Sequence, residues 1–181
     1  MPQAPLEAAE NLYIRRWGEM GASWGISRTM AEIHALLYLS SEPLCTDDVM
    51  DRLEVSRGNA SMNLRQLVNW GLIERVHHRG DRKEYFEAER NVWQMFEIIT
   101  RERRRREVEP IVETIERCRT MIEKGMPNLK GPAGRKGEVY LQRFDEMLRF
   151  FEMLNALFNA MTKVGPTSLK RVTGLLGKMA D

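Results

Sequence analysis

Cysteine is almost missing from this sequence. Two in 181 residues, Cys45 and Cys118, are too few and too far apart to staple a fold. Long apolar runs are missing as well: the longest is Ala35 to Leu39, whereas a helix needs about 20 consecutive apolar residues to cross a bilayer. The start, Met1-Pro2-Gln3-Ala4-Pro5-Leu6-Glu7, has neither the basic opening nor the apolar stretch of a secretory signal. A cytoplasmic protein is therefore expected. Charge imbalance is also lacking, since 28 Lys and Arg stand against 26 Asp and Glu, a net of +2. Attraction to a polyanion must be argued from where the charges sit. With hydrophobic residues at 43% and only 7 Pro and 13 Gly, wholesale disorder is excluded. No repeat recurs at a solenoid period.

What is present is helical periodicity. Leu6, Ala9, Tyr13, Trp17, Met20 and Trp24 step by threes and fours and predict a helix from about Pro5 to Gly21. A second helix starts near Ser27 or Thr29, with Ile33, Leu36 and Leu37 inward, and ends at Ser41-Glu42-Pro43. Thr46, followed by Asp47-Asp48 where acids suit the helix dipole, starts a short third helix carrying Val49, Met50 and Leu53. Ser56 caps a fourth, with Ala60, Leu64, Leu67 and Val68 as its apolar stripe and Gly71 as its left-handed stop.

From Leu72 the period changes. Leu72 to His77 and Lys83 to Ala88 are β-capable runs around Arg79-Gly80-Asp81-Arg82, a hairpin with a basic tip. Asn91 then caps a long helical stretch through Val92, Phe96, Ile99, Val108, Ile111, Ile115, Cys118 and Ile122, which Pro110 should kink or restart. Four Gly and two Pro between Gly125 and Gly137 predict a mobile connector. Beyond it, Leu141, Phe144, Leu148, Phe151, Leu154 and Phe158 form one helical face, widened by Met147, Phe150, Met153 and Leu157. An apolar surface that broad needs a partner, and the six-residue face is the expected dimer interface of a homodimer.

Three helices and a hairpin in about 60 residues is the order of a winged helix-turn-helix, whose later helix enters the major groove. The expected fold is mainly α: a winged helix-turn-helix domain with a small β-hairpin wing plus long dimerisation helices. Its expected parts are an N-terminal helix packed on the dimer region (1–25), the DNA-binding head (26–90), the helical dimerisation region (91–162, connector 125–137) and a tail (163–181). Between Arg57 and Lys83 six basic residues face two acids, a local +4 in a chain of +2. A 100° step per residue points Asn59, Met62, Arg65, Gln66 and Asn69 outward from the fourth helix. Arg pairs with guanine, Asn and Gln with adenine, and a methionine methyl meets that of thymine. The full set expected on DNA is Ser56, Arg57, Asn59, Ser61, Met62, Asn63, Arg65 and Gln66 from the helix, with Arg79, Arg82 and Lys83 from the wing. The partner is double-stranded DNA bearing a palindromic operator.

Ser56-Arg57-Gly58-Asn59-Ala60-Ser61-Met62-Asn63-Leu64-Arg65, then Trp70-Gly71-Leu72, Gly80-Asp81-Arg82-Lys83-Glu84-Tyr85-Phe86 and Trp93-Gln94-Met95-Phe96, resembles the GbsR-type branch of the MarR transcriptional regulators. The resemblance implies a homodimeric winged-helix repressor, in some members modulated by a small-molecule effector such as choline. Tyr13, Trp17, Trp24, Trp93 and Phe96 are the aromatic candidates for holding such a cation.

Other signals are weaker. Gly21-Ala22-Ser23-Trp24-Gly25 spells the G-x-S-x-G of a hydrolase elbow, but a helix precedes it instead of a strand, so no catalytic residue and no enzyme is expected. His77, His78, Asp81, Glu84 and Glu87 match no metal-ligand spacing, and no cofactor or metal is expected. A winged-helix module that binds protein without DNA is the competing function; acids on the fourth helix would favour it, and none lies between Ser56 and Trp70.

Overall fold

A computed structural model describes residues 4–177, with side chains from 4 to 160. The helices α1 (Ala4–Ser23), α2 (Arg28–Leu39), α3 (Thr46–Leu53) and α4 (Arg57–Trp70) are followed by the hairpin strands β2 (Ile73–Val76) and β3 (Tyr85–Ala88). A two-residue strand that periodicity cannot reveal, β1 (Leu44–Cys45), precedes α3 and pairs antiparallel with β3, Leu44 opposite Phe86. The sheet order is β1-β3-β2, with Ile73 opposite Ala88 and Val76 opposite Tyr85. Then come α5 (Val92–Arg103), a π-helical segment Arg104–Val108, α6 (Glu109–Gly125), a 3-10 turn Met126–Asn128 and α7 (Pro132–Gly177). No helix among the described residues is long and apolar enough to cross a membrane.

The chain divides into two compact units between Ile99 and Thr100, inside α5. The expected boundary at 90/91 falls too early, because Met95 and Ile98 of α5 are buried with the core of the first unit.

In that unit α2 is the central element. Met30, Ala31, Ile33, His34, Ala35, Leu36 and Leu37 are all buried, so nearly its whole circumference is covered. Its start is fixed by Ser27, whose hydroxyl accepts from the Met30 amide. Of the two expected starts Ser27 is therefore the cap, and Glu32, in the first turns of the helix, accepts from Arg28 at 2.8 Å. The N-terminal helix, expected on the dimer region, belongs to the first unit and packs along α2. Its buried positions are Ile14, Gly18 and Gly21, while Leu6 and Trp24, expected inward, are exposed. The glycines explain the shift: a Cβ on Gly21 would stand 2.6 Å from the Ala31 Cβ, so α1 and α2 touch at backbone distance there.

Local chemistry sets the other element ends. Cys45, one residue before the expected Thr46, caps α3, and its amide donates to Asp48 Oδ2 at 2.8 Å. The Ser56 hydroxyl accepts from the Asn59 amide, and Gly71 ends α4 at φ +82°. Asn91 Oδ1 accepts from the amides of Trp93 and Gln94.

In the second unit Pro110 acts as expected. It has no N–H to give the preceding turn, and the helix widens to π just before it, with the Glu109 amide bonded to Arg104 O. The mobile connector expected at 125–137 is not found. Only three residues separate the 3-10 turn from α7, and Pro132 opens that helix. Gly134 and Gly137 lie inside α7 for packing: a Cβ on Gly137 would be 2.7 Å from Met126 Sδ. Leu141, Phe144, Leu148, Phe151, Leu154 and Phe158 are half-buried on the side of α7 that packs on α6, whereas Met147, Phe150, Met153 and Leu157 are exposed. The tail side chains expected beyond 163 lie outside the described residues.

Candidate nucleic-acid interface

The helix α4 is seated by Ala60, Leu64, Leu67 and Trp70, all buried. The same pitch leaves Met62 and Arg65 exposed, Gln66 and Ser61 half-buried, and Ser56 and Arg57 exposed at the helix start. The helix carries no acid. Arg65, Arg79 and Arg82 have no acidic partner among the described residues, and all three are exposed.

Two of the expected readers are turned inward. Asn63 is 1% exposed, and its Nδ2 donates to Asn59 O at 2.8 Å and to Asn59 Oδ1 at 2.7 Å. Asn59 is half-buried and donates in turn to Thr29 Oγ1 at 3.4 Å. The Asn59 amide thus ties α4 to the start of α2, and the Asn63 amide braces Asn59 from within α4. Asn63 sits between Asn59 and Leu67 on the inward stripe, and the helical step alone should have excluded it.

The wing is shaped by Asp81. Its carboxylate accepts from the Lys83 amide at 2.9 Å and from the Tyr85 hydroxyl at 2.8 Å, while the Asp81 amide closes a turn onto His78 O. Those bonds hold the Asp81 carboxyl below the usual carboxylate range, the Lys83 amide first and the Tyr85 hydroxyl next. Gly80 takes φ +91°, the left-handed position such a tip requires. The His78 ring meets Tyr85 edge-on at 4.5 Å. Arg79 and Arg82 project from this braced turn.

Asp47 is the site residue missing from the expected set. It is a first-turn residue of α3, and its Oδ1 accepts from Arg57 Nη2 at 2.5 Å while Oδ2 lies 3.4 Å from Lys83 Nζ. One carboxylate thus joins the start of α4 to the root of the wing. Arg57, then Lys83, holds the Asp47 carboxyl below its ordinary range, and Asp47 raises Lys83. The sequence signal was the acidic first turn of α3, which has a sufficient reading as a dipole partner and so conceals its long-range one.

The aromatic candidates form two groups and no cage. Tyr13 stacks on Trp17 at 5.5 Å, and Trp93 lies 5.6 Å from Phe96. Trp17 and Trp24 line a cavity of about 40 Å³ with Met30, His34, Leu67 and Trp70, to which Tyr13, Trp93 and Phe96 do not contribute. A hole near 150 Å³ is needed for benzene, and about 10–15 Å³ for one water. His34 is 3% exposed, and its Nε2 has no hydrogen-bond partner among the described residues. Burial lowers its pKa to about 4, so the ring is neutral at pH 7.

Two other motifs are accounted for locally. Ser23 of the G-x-S-x-G stretch ends α1 and donates to Glu19 O at 3.0 Å, a helix-end contact with no strand before it. Cys45 is buried, which pushes its thiol up, and Cys118 is half-buried.

Residues 24–84, from the end of α1 to the wing, match the family model described as MarR family. Over 121 residues the chain is 26% identical to the HTH-type transcriptional repressor GbsR of Bacillus subtilis (strain 168), covering 67% of each chain. It is 24% identical to the putative HTH-type transcriptional regulator YvaV and 22% identical to the HTH-type transcriptional repressor OpcR, both of the same organism. Those alignments cover 52% and 50% of this chain, and 54% and 49% of theirs. A solved structure, a crystal structure of a transcriptional regulator, superposes with a TM-score of 0.52 at 22% identity over 92% of this chain and 99% of its own. That likeness speaks for the fold alone, and the family match is confined to the head: residues 24–84, folded as a winged helix-turn-helix, are the part of the chain that resembles the MarR family.

Proposed function

We propose that this regulator binds duplex DNA in a sequence-specific way as a homodimer and represses transcription by occupying a palindromic operator. The observation that carries the reading is the exposed, acid-free face of α4, with the arginines of a braced wing beside it. In this reading Arg65 and Met62 meet base edges, Gln66 and Ser61 lie at the margin of the same face, and Ser56, Arg79 and Arg82 meet phosphates, with Arg57 and Lys83 beside them paired to Asp47. Two of the three relatives named above are called repressors, which supports that sign of regulation.

A second copy is the partner for α7. Phe150, Met153 and Leu157 are 53%, 65% and 56% exposed along one side of that helix, a contiguous apolar strip that water disfavours. Two heads held on one duplex read half-sites about one helical turn, roughly 34 Å, apart. A small effector belongs to the same proposal. The hole between Trp17, Trp24 and His34 also touches Leu67 and Trp70 of α4, so a ligand that widens it moves the helix that reads DNA.

Selection of bound fragments from a genomic pool, followed by footprinting, tests the reading. The expected result is a protected two-fold symmetric sequence; fragments without any common sequence would contradict it. Choline titrated against tryptophan fluorescence tests the effector arm, with a saturable change expected and a flat trace opposing it.

A further inference from the structure

The cations of the head fall into two classes. Arg65, Arg79 and Arg82 have no acidic partner among the described residues, whereas Arg57 and Lys83 share Asp47, at 2.5 and 3.4 Å. Arg57 is the first residue of α4, where backbone amides and the helix dipole would otherwise favour a phosphate. A carboxylate fixed beside that position takes up its cation and repels an incoming phosphate. Lys83, at the root of the wing, is held by the second oxygen of the same group.

We propose that Asp47 is a specificity-determining residue: by occupying Arg57 and Lys83 it limits the sequence-independent attraction of the head for phosphates and leaves discrimination to the base-facing side chains of α4. This rests on the reading above that α4 and the wing face the duplex. Sequence-independent affinity follows the number of phosphates neutralised, and each contact adds about 0.9 to the slope of log K against log salt. Base contacts on α4 do not involve Asp47, so releasing two cations strengthens binding to every sequence and narrows the advantage of the preferred one.

Asp47→Asn keeps the shape and polarity of the side chain and removes its charge. The full-length variant is expected to bind a random duplex about three- to tenfold tighter at moderate salt, with a slope steeper by about one to two, and to show a smaller ratio of preferred to random affinity. Unchanged or weaker binding to random duplex overturns the proposal. Arg57→Gln with Lys83→Gln, made with Asp47 intact, gives a second route should Asp47→Asn fold poorly. Those cations are already occupied, so the pair is expected to lower the random-duplex slope by less than Arg79→Gln with Arg82→Gln does; an equal or larger drop overturns the proposal. If Arg65→Gln itself leaves DNA affinity unchanged, the binding face is wrong and the proposal falls with it. If Arg65→Gln weakens binding while Asp47→Asn fails to tighten it, only the role of Asp47 falls.

Discussion

Asn63 gives both of its amide hydrogens to Asn59, one to the backbone oxygen at 2.8 Å and one to the side-chain oxygen at 2.7 Å. The pair lies in the middle of the helix proposed to read DNA, yet it faces the protein. Its consequence is a division of labour on α4 that substitutions can separate. Asn63→Ala leaves Asn59 Oδ1 short of a donor in a half-buried place and is expected to cost about 1–2 kcal/mol of stability by urea denaturation. Arg65→Ala, on the exposed side, is expected to stay within about 0.5 kcal/mol of the parent. Equal losses for the two would mean that the helix is not oriented as described.

The contact of α1 with α2 predicts a sign reversal between two glycines. Gly21→Ala inserts a methyl 2.6 Å from the Ala31 Cβ and is expected to destabilise by about 1–3 kcal/mol, despite the better helix propensity of alanine. Gly58→Ala, where nothing lies within 4 Å, is expected to raise stability by about 0.5–1 kcal/mol. Thermal melts of both variants decide it, and a stabilised Gly21→Ala contradicts the packing.

His34 makes the head acid-sensitive. Its folded pKa of about 4 lies below the unfolded 6.5, so the unfolded chain binds the extra proton first. The contribution to stability is complete above the unfolded value and is lost as pH falls through the window between 6.5 and 4. Between pH 7 and pH 4.5 the loss assignable to His34 is about 2–3 kcal/mol. It is measured as the difference in urea denaturation between the parent and His34→Phe, which removes the titration and keeps an aromatic ring. Parallel pH profiles for the two proteins would show that His34 carries no such linkage.

Self-association separates two faces of α7. Phe150→Glu and Met153→Glu place charge on exposed positions and are expected to give folded monomers by analytical ultracentrifugation. Phe151→Glu puts charge on the side packed against α6 and is expected to lower the melting temperature itself. A dimer unaffected by Phe150→Glu and Met153→Glu would remove the exposed strip from the interface.

Features set by neighbours in sequence were legible before the structure. Ser56, Gly71 and Asn91 act within three or four residues of themselves, and each terminates its helix as its chemistry requires. Pro110 lacks an amide hydrogen whatever surrounds it, and the helix adjusts just ahead of it. What escaped depends on distant partners. Gly18 and Gly21 carry no apolar signal, so periodicity points to the aromatics of α1 instead of to its buried side. Gly134 and Gly137 looked like breakers because the groups they make room for, Leu129 and Met126, are close only once α7 has formed. Of the two apolar stripes of α7 the more regular, which periodicity offers as a dimer face, is the one the unit uses for its own packing. Asp47 meets cations 10 and 36 positions away, a juxtaposition no local period encodes.

The central claim, that the outer face of α4 distinguishes base sequences, is tested most directly by the ratio of preferred to random duplex affinity in Arg65→Ala at fixed salt. A bidentate arginine contact to guanine is worth about 1–3 kcal/mol of discrimination, so the ratio should fall by about five- to 150-fold while the protein stays folded. A ratio equal to that of the parent, with both affinities lowered together, would place Arg65 on phosphate and contradict the account.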